Sequence, residues 1–258
     1  MNISVNPDWW KHLFDEVYLL TDARSVCDQE ITRCEVDLIC KLLPIKPHHR
    51  ILDLCGGHGR HCFELYSRGY TECTILDYSA YLIDQAECQA SEKNIPIKCI
   101  CSDARNTNLS SESFDHICIM GNSLGYQKGS ESDIEIMKEA NRLLRRGGWL
   151  IIDVTDGDYI RNCFIPNSWH EVGNDILVCR EREIVGTYIH ARELVINKKK
   201  GIVRDENYSI QLFNVKLIEN LFISAGFQNI LISNGFSPHQ KKGDYGFMNH
   251  RLIGIGRK

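Results

Sequence analysis

The sequence predicts an α/β fold: a seven-stranded, mostly parallel sheet with helices on both faces, preceded by a helical cap and interrupted by a small antiparallel β insertion. Three observations predict it. From Arg50 onward, short β-rich runs alternate with longer helical patterns, the signature of strands joined by crossover helices. Residues 176–211 break that alternation with three period-two runs separated by turn residues. Before residue 50, two stretches carry apolar residues at helical spacing and no strand pattern.

The spacing places strands at 50–54, 72–76, 97–100, 115–120 and 149–154, with helices near 58–68, 79–93 and 131–145. Gly147 and Gly148 in "RRGGW" read as the cap that ends the third of these helices. In the N-terminal part, Trp9, Trp10, Leu13, Phe14, Val17 and Tyr18 share one helical face. A second helix presents Cys27, Ile31, Cys34, Leu38 and Leu42 and stops before Pro44 and Pro47. The antiparallel meander turns near Gly186 and at "NKKKG". A helix at 214–225 ends at Gly226, and "FQNILIS" and "HRLIGIG" supply the last two strands. The division that follows is a cap over 1–49 and a main domain over 50–258, with the insertion at about 170–211.

Composition narrows the function classes. At 258 residues and 43% hydrophobic the chain can bury a full core, and a formal charge of -4 provides no positive field to collect nucleic acid. Twelve cysteines without a CxxC pair read as reduced thiols rather than a disulfide framework. The opening "MNISVNPDWWKHLFDE" has no basic segment followed by an apolar stretch, and no window approaches the length needed to span a bilayer. The expectation is a cytoplasmic protein acting on a small molecule, with neither nucleic acid nor membrane as partner and with a homodimer as an assembly open to it.

The chemistry concentrates in "DLCGGHGR", Asp53 to Arg60, where a strand ends in three glycines. In an open α/β sheet the ligand crevice lies at the carboxyl ends of the strands, and glycines there let backbone approach a ligand closely. A dinucleotide fingerprint requires G-x-G-x-x-G, but Cys62 stands where its third glycine belongs. Instead Asp53, Cys55, Gly57 and Gly59 fall at alternate positions, D-x-G-x-G-x-G with cysteine in the first glycine slot. A carboxylate beside such a loop repels a pyrophosphate and accepts hydrogen bonds from an ammonium group.

Here the chain resembles the class I S-adenosylmethionine-dependent methyltransferases, whose fold is Rossmann-like. Asp77 in "TILDYSA" stands where that family's acid receives the ribose hydroxyls, and Asp103 in "CSDARN" where an acid or amide receives the adenine amino group beside the Ala104 N–H. "FDHICIMGNSLGY" and "LLRRGGWLIIDV" are similar to the fourth strand and the turn into the fifth. The resemblance implies S-adenosyl-L-methionine as cofactor, becoming S-adenosyl-L-homocysteine, held by Tyr18, Asp53, Cys55, Gly56, Gly57, Gly59, Asp77, Tyr78, Ser102, Asp103, Ala104, Gly121 and Asn122. Within the family the layout is similar to glycine and sugar-amine N-methyltransferases. It implies transfer to a small-molecule nitrogen, oxygen or carbon nucleophile, with Tyr18, Asn122, Tyr126 and His190 as candidate catalytic residues.

Ser123 joins the acceptor-facing set after the fourth strand. His170, Arg180, Arg192 and Tyr208, with His190, lie in or beside the insertion, where solvated surface is the expected fate. His58 and His61 flank the glycine loop without ligand spacing, so no metal is expected. A different reaction on the same cofactor, a nicotinamide-dependent oxidoreductase and a non-catalytic binding module remain the competing readings.

Overall fold

Residues 2–239 and 248–258 are described by the computed structural model, and the basic run in "HQKKGD" falls largely outside them. After a 3-10 turn at Trp9–Lys11 come α1 (Glu16–Thr21), α2 (Ala23–Val26) and α3 (Gln29–Leu42). The alternating core then runs β1 (Ile51–Leu54), α4 (Arg60–Ser67), β2 (Cys73–Asp77), α5 (Ala80–Glu92), β3 (Lys98–Cys101), β4 (Phe114–Ile119), α6 (Glu131–Leu143) and β5 (Leu144–Thr155). It is followed by α7 (Gly157–Asn162), the strands β6 (Asn167–Val172), β7 (Ile176–Val185), β8 (Tyr188–Asn197) and β9 (Gly201–Gln211), then α8 (Val215–Ser224), β10 (Gln228–Phe236) and β11 (Arg251–Arg257).

The large sheet has the order β10-β11-β5-β4-β1-β2-β3 and the small one β6-β7-β8-β9. Strands β1 to β5 pair in parallel, and β11 runs antiparallel to both β5 and β10. The order reverses at β1, which opens a crevice between the carboxyl ends of β1 and β4. Alternating strand residues feed two cores. Leu52, Leu54, Ile117, Ile119 and Ile152 pack toward α6 and α8, whereas Ile51, Ile75, Cys118 and Ile151 pack toward α3, α4 and α5. A third cluster joins Trp9 and Phe14 to Ile189, Ala191 and Tyr208 of the small sheet, so the N-terminal aromatics sit between the two sheets. All twelve cysteines are free. Among the described residues no helix is long and apolar enough to cross a membrane.

Four expectations change. The first amphipathic stretch is broken into short pieces because Asp15 leaves the helix, takes an extended conformation and caps a new one by accepting from the Val17 and Tyr18 N–H groups at 2.9 and 3.2 Å. On α3 the buried face is Ile31, Thr32, Glu35, Val36 and Ile39, and Cys27 and Cys34 are exposed. Helix α6 ends at Leu143, so Gly147 and Gly148 are not its cap. They lie in a bulge of β5, across which pairing with β4 passes from Phe114↔Leu144 to His116↔Trp149. The antiparallel insertion has a fourth strand, β6, that begins at Asn167 and turns at Gly173.

The rotation of α3 has an electrostatic reason. Glu35 is wholly buried and accepts from Arg60 Nη1, from His61 Nε2 at 2.9 Å and from Arg251 Nη2 at 2.5 Å. Arg251, also wholly buried, reaches Asp153 with its Nη1 at 2.5 Å. Several cations around one buried carboxylate hold its pKa well below the ordinary value even though burial alone would raise it. Replacing Glu35 with alanine strands two guanidiniums in the core, and the expected loss is about 3–5 kcal/mol of unfolding free energy, read from urea denaturation.

Candidate active site

The loop between β1 and α4 turns through three left-handed residues, Cys55 (φ 62°), Gly57 (φ 57°) and Gly59 (φ 81°). Two of its glycines answer to different neighbours. A Cβ on Gly56 would stand 2.8 Å from Asp53 Cγ, and one on Gly59 would stand 2.3 Å from Ile75 Cδ1, so Gly59 brings α4 down onto β2. Cys55 takes the left-handed conformation without being glycine, a strain of about 1–2 kcal/mol. Its thiol is pushed well up by burial and then by nearby carboxylates, which removes it as a nucleophile at neutral pH.

A cleft opens over this loop, lined by Cys55, Gly56, Gly57 and His58, by Asp77, Tyr78 and Ser79 after β2, by Asp103, Ala104 and Arg105 after β3, and by Met120, Gly121 and Ser123 after β4. Trp10, Phe14, Tyr18 and Val26 close it from the cap. Asp77 accepts from the Gly57 and Ser79 N–H groups, each at 2.8 Å. Burial raises its carboxyl to about 6 against the pull of those donors. Asp103 is held below the usual carboxylate range, first by its hydrogen bonds from Arg105, whose Nε lies 2.9 Å from Oδ1 and Nη2 2.5 Å from Oδ2. The Arg105 guanidinium in turn sits 5.4 Å from the Trp10 ring centre, and Trp10 meets Tyr78 edge-on at 4.7 Å. Burial brings His58 down to about 4, so its imidazole is neutral.

A second compartment adjoins the first and shares Phe14, Tyr18, Val26, Gly121 and Tyr126 with it. Its far wall comes from the small sheet: Arg180 on β7, Glu193 on β8, and Arg204, Tyr208 and Ile210 on β9. Arg180 Nε donates to Glu193 Oε2 at 2.8 Å, and its Nη2 reaches both oxygens of Asp22 on the cap at 3.2 and 3.1 Å. Arg204 bridges Glu193 to Asp15. Tyr126 stacks on Phe14 at 5.5 Å and meets Trp9 edge-on at 5.0 Å. The Tyr208 phenol is pushed up to about 12, with burial the leading cause.

Most of the expected cofactor set borders the cleft, with four exceptions. Asp53 is buried beneath the loop, its nearest charged partner being His61 Nδ1 at 3.6 Å. Gly59 serves packing, as above. Ser102 uses its N–H to bond Asp77 O at 2.9 Å and does not line the cleft. Asn122 lines the second compartment only, and its Oδ1 is taken by the Thr155 N–H at 2.8 Å. His190 lines neither compartment: on β8 it alternates with the inward Ile189 and Ala191, and its Nδ1 lies 4.0 Å from Glu183. Arg180 and Tyr208 are buried walls rather than solvated surface, and His170 is buried as well, whereas Arg192 is exposed and paired with Asp205. Arg60, Arg105, Asp22, Glu193 and Arg204 were not nominated from sequence. For Arg60, Glu193 and Arg204 the one signal is charge at an inward position of a helix or strand, which periodicity alone assigns to solvent, and Asp22 and Arg105 lie between such elements. No cluster of His, Cys, Asp or Glu suited to a metal ion occurs among the described residues.

The donor set suits an adenosyl ligand. Two carboxylates stand at consecutive strand tips, left-handed backbone faces the cleft between them, and both oxygens of buried Asp53 lack a hydrogen-bond partner behind the loop. Comparisons agree. Residues 51–148 match the family model described as a methyltransferase domain. YqeM of Bacillus subtilis, named as a methyltransferase, is 28% identical over 184 residues, covering 69% of this chain and 73% of its own. A crystal structure of an S-adenosylmethionine-dependent methyltransferase from Clostridium acetobutylicum superposes with a TM-score of 0.72 at 15% identity, over 93% of this chain and 96% of the other. A sugar N-methyltransferase from a Streptoalloteichus species gives 0.65 at 18% identity, over 100% and 97%. The 1,6-didemethyltoxoflavin N1-methyltransferase of Burkholderia thailandensis, with S-adenosylhomocysteine bound, gives 0.59 at 16%, over 100% and 92%.

Sheet order, cleft and domain match define a Rossmann-like enzyme of group transfer. Residues 51–148 form a methyltransferase domain, and the chain as a whole has the fold of solved S-adenosylmethionine-dependent methyltransferases.

The raised Asp77 carboxyl gives a pH test. Only its ionised form has both oxygens able to accept hydroxyl donors from a ligand, and it takes up a proton as the pH falls through about 6. Affinity for S-adenosylhomocysteine is therefore expected to be full at pH 7.5 and to weaken below about 6 in calorimetry. Asp77→Asn should bind at least about tenfold more weakly at pH 7.5, with that step removed.

Proposed function

We propose that this enzyme methylates a small polar acceptor held in the second compartment, and that an amine nitrogen is the acceptor atom. The observation that carries the reading is the junction of two compartments of different chemistry. One is backbone-lined and carries carboxylates at strand tips. The other is walled by aromatic rings and paired charges from the cap and the small sheet.

In this reading Asp77 receives the ribose hydroxyls, and Asp103 with the Ala104 N–H meets the adenine edge while Arg105 and Trp10 cover it. Gly57 and Gly121 let the amino-acid arm lie against backbone. Asp53 contributes through its field from behind the thin Gly56 segment. When bound, the cofactor supplies a methyl group on a positively charged sulfur, which needs an in-line nucleophile and a dry path. Phe14, Tyr18 and Tyr126 ring the passage between the compartments and exclude water from it.

The nitrogen assignment follows from the phenols. Burial pushes Tyr18 and Tyr126 well above their ordinary values, so both stay protonated at neutral pH and neither acts as a general base. Asp22 borders the second compartment but is bound by Arg180 and by the Thr21 hydroxyl. An amine that arrives uncharged carries its own lone pair and needs no base to attack; a hydroxyl does not share that advantage. The sugar N-methyltransferase and the toxoflavin-precursor N1-methyltransferase among the similar structures are named for small-molecule nitrogen transfer, which supports the same class here. The net charge of -4 speaks against a nucleic-acid acceptor.

The test is incubation with radiolabelled S-adenosylmethionine and a fractionated metabolite extract. Label should enter a small amine in the wild type. Arg180→Met should reduce that transfer by at least about tenfold while S-adenosylhomocysteine affinity stays within about twofold. Label appearing only in the protein or nucleic-acid fraction would overturn the reading.

A further inference from the structure

We infer that Arg60 is the anchor for the carboxylate at the amino-acid end of the cofactor. The inference rests on the cofactor orientation proposed above and names a residue for the one charged group of the ligand that Asp77 and Asp103 cannot serve.

Arg60 opens α4 immediately after the left-handed Gly59, and its side chain is 10% exposed yet lines the cleft. Among the described residues lining the cleft it and Arg105 are the two guanidiniums. Arg105 is committed to both oxygens of Asp103 at the adenine end. Arg60 lies at the other end, with His58, Tyr18 and Gly121 around it.

Its hydrogen bonding is one-sided. Nη1 donates to the Thr32 hydroxyl at 3.1 Å and to Glu35, whereas Nη2 has no hydrogen-bond partner among the described residues. Nη2 is directed to Gly121: a Cβ built on that glycine would stand 3.9 Å from it, with no other atom inside 4 Å. The guanidinium is thus clamped from the cap side and open on the cleft side.

Its one hydrogen-bonded carboxylate is also shared. The single carboxylate of Glu35 serves Arg60, His61 and Arg251 together. Arg251 has Asp153 as a second counterion, and Asp53, which has His61 3.6 Å away, reaches Arg60 through its field and not through a hydrogen bond. A guanidinium that is fixed, nine-tenths buried and open along one edge favours a carboxylate with geometry matched to its fork.

The orientation also explains why Arg60 is tied down so elaborately. A free arginine would give up side-chain freedom each time the ligand bound, whereas one held by Thr32 and Glu35 has already lost it. Glu35, Thr32 and Arg251 are then positioning residues for the subsite, reaching it through Arg60.

Calorimetry on the full chain with two ligands tests this. S-adenosylhomocysteine carries the carboxylate, and 5′-methylthioadenosine shares its nucleoside and thioether but lacks that group. Wild type should bind the first more tightly. Arg60→Met should bind S-adenosylhomocysteine at least about tenfold more weakly while its 5′-methylthioadenosine affinity stays within about twofold, which also reports an intact nucleoside site. Arg60→Lys, which keeps the charge and loses the fork, should fall between the two. Equal losses for both ligands in Arg60→Met, or no loss for either, would overturn the assignment to the carboxylate while leaving the cofactor site itself standing. Wild type binding neither ligand would remove the cofactor orientation and this inference together.

Discussion

A carboxylate cut off from solvent persists in its charged form only where cations replace the water it has lost, and Glu35 finds them in two distant parts of the chain. Arg60 and His61 come from the first turn of α4, and Arg251 from the last strand of the large sheet. Arg251 continues to Asp153 on β5, which accepts in turn from the Gly121 N–H through the oxygen that holds Arg251. One connected set of charges therefore runs from the cap helix, through the first turn of α4 and the last strand, to the backbone of the β4 loop. The cleft is shaped between that loop and the glycine loop, and both adjoin it.

Above that foundation the labour is divided by layer. The parallel sheet contributes strand tips and backbone, which suit a ligand that every such enzyme shares. The cap and the small antiparallel sheet contribute side chains, which suit a ligand that differs between enzymes. The aromatic cluster of Trp9, Phe14, Tyr126 and Tyr208 is where the layers meet, and the Trp9 indole N–H fixes it by donating to Tyr126 O at 3.2 Å. Tyr18 and Tyr126 border both compartments because they stand on this seam.

The sheet was legible because its signals are local. Buried parallel strands such as "ILDL" and "TILD" are apolar runs bounded by turns, and the acids at their ends lie next to the glycines that mark the crevice. The foundation was not legible, since Glu35 and Arg251 are 216 residues apart and each looks, in its own window, like a charge bound for solvent. The apolar spacing through Cys27 and Cys34 suggests a face of α3 that the glutamate rotates toward solvent, while Ile31 stays buried beside it. The four-residue bulge in β5 shows a related failure. Glycine after a helix usually ends it, but Gly148 is required by the closeness of Asp115 O, 2.7 Å from where a Cβ would sit, a contact that becomes visible only once β4 and β5 are paired. His190 was chosen as a polar residue of the right strand with the wrong parity. Arg180 was set aside for its charge and proved to be a wall.

The bonds between Asp22 and Arg180, and between Asp15 and Arg204, have one further consequence. The second compartment is enclosed by halves from distant stretches of chain, sewn together by opposite charges with Glu193 as the common thread. Loss of Asp22 or Asp15 leaves a buried guanidinium with Glu193 as its remaining carboxylate. The two walls are therefore coupled, so that an exchange in one redistributes charge across the other and the compartment responds as a single unit.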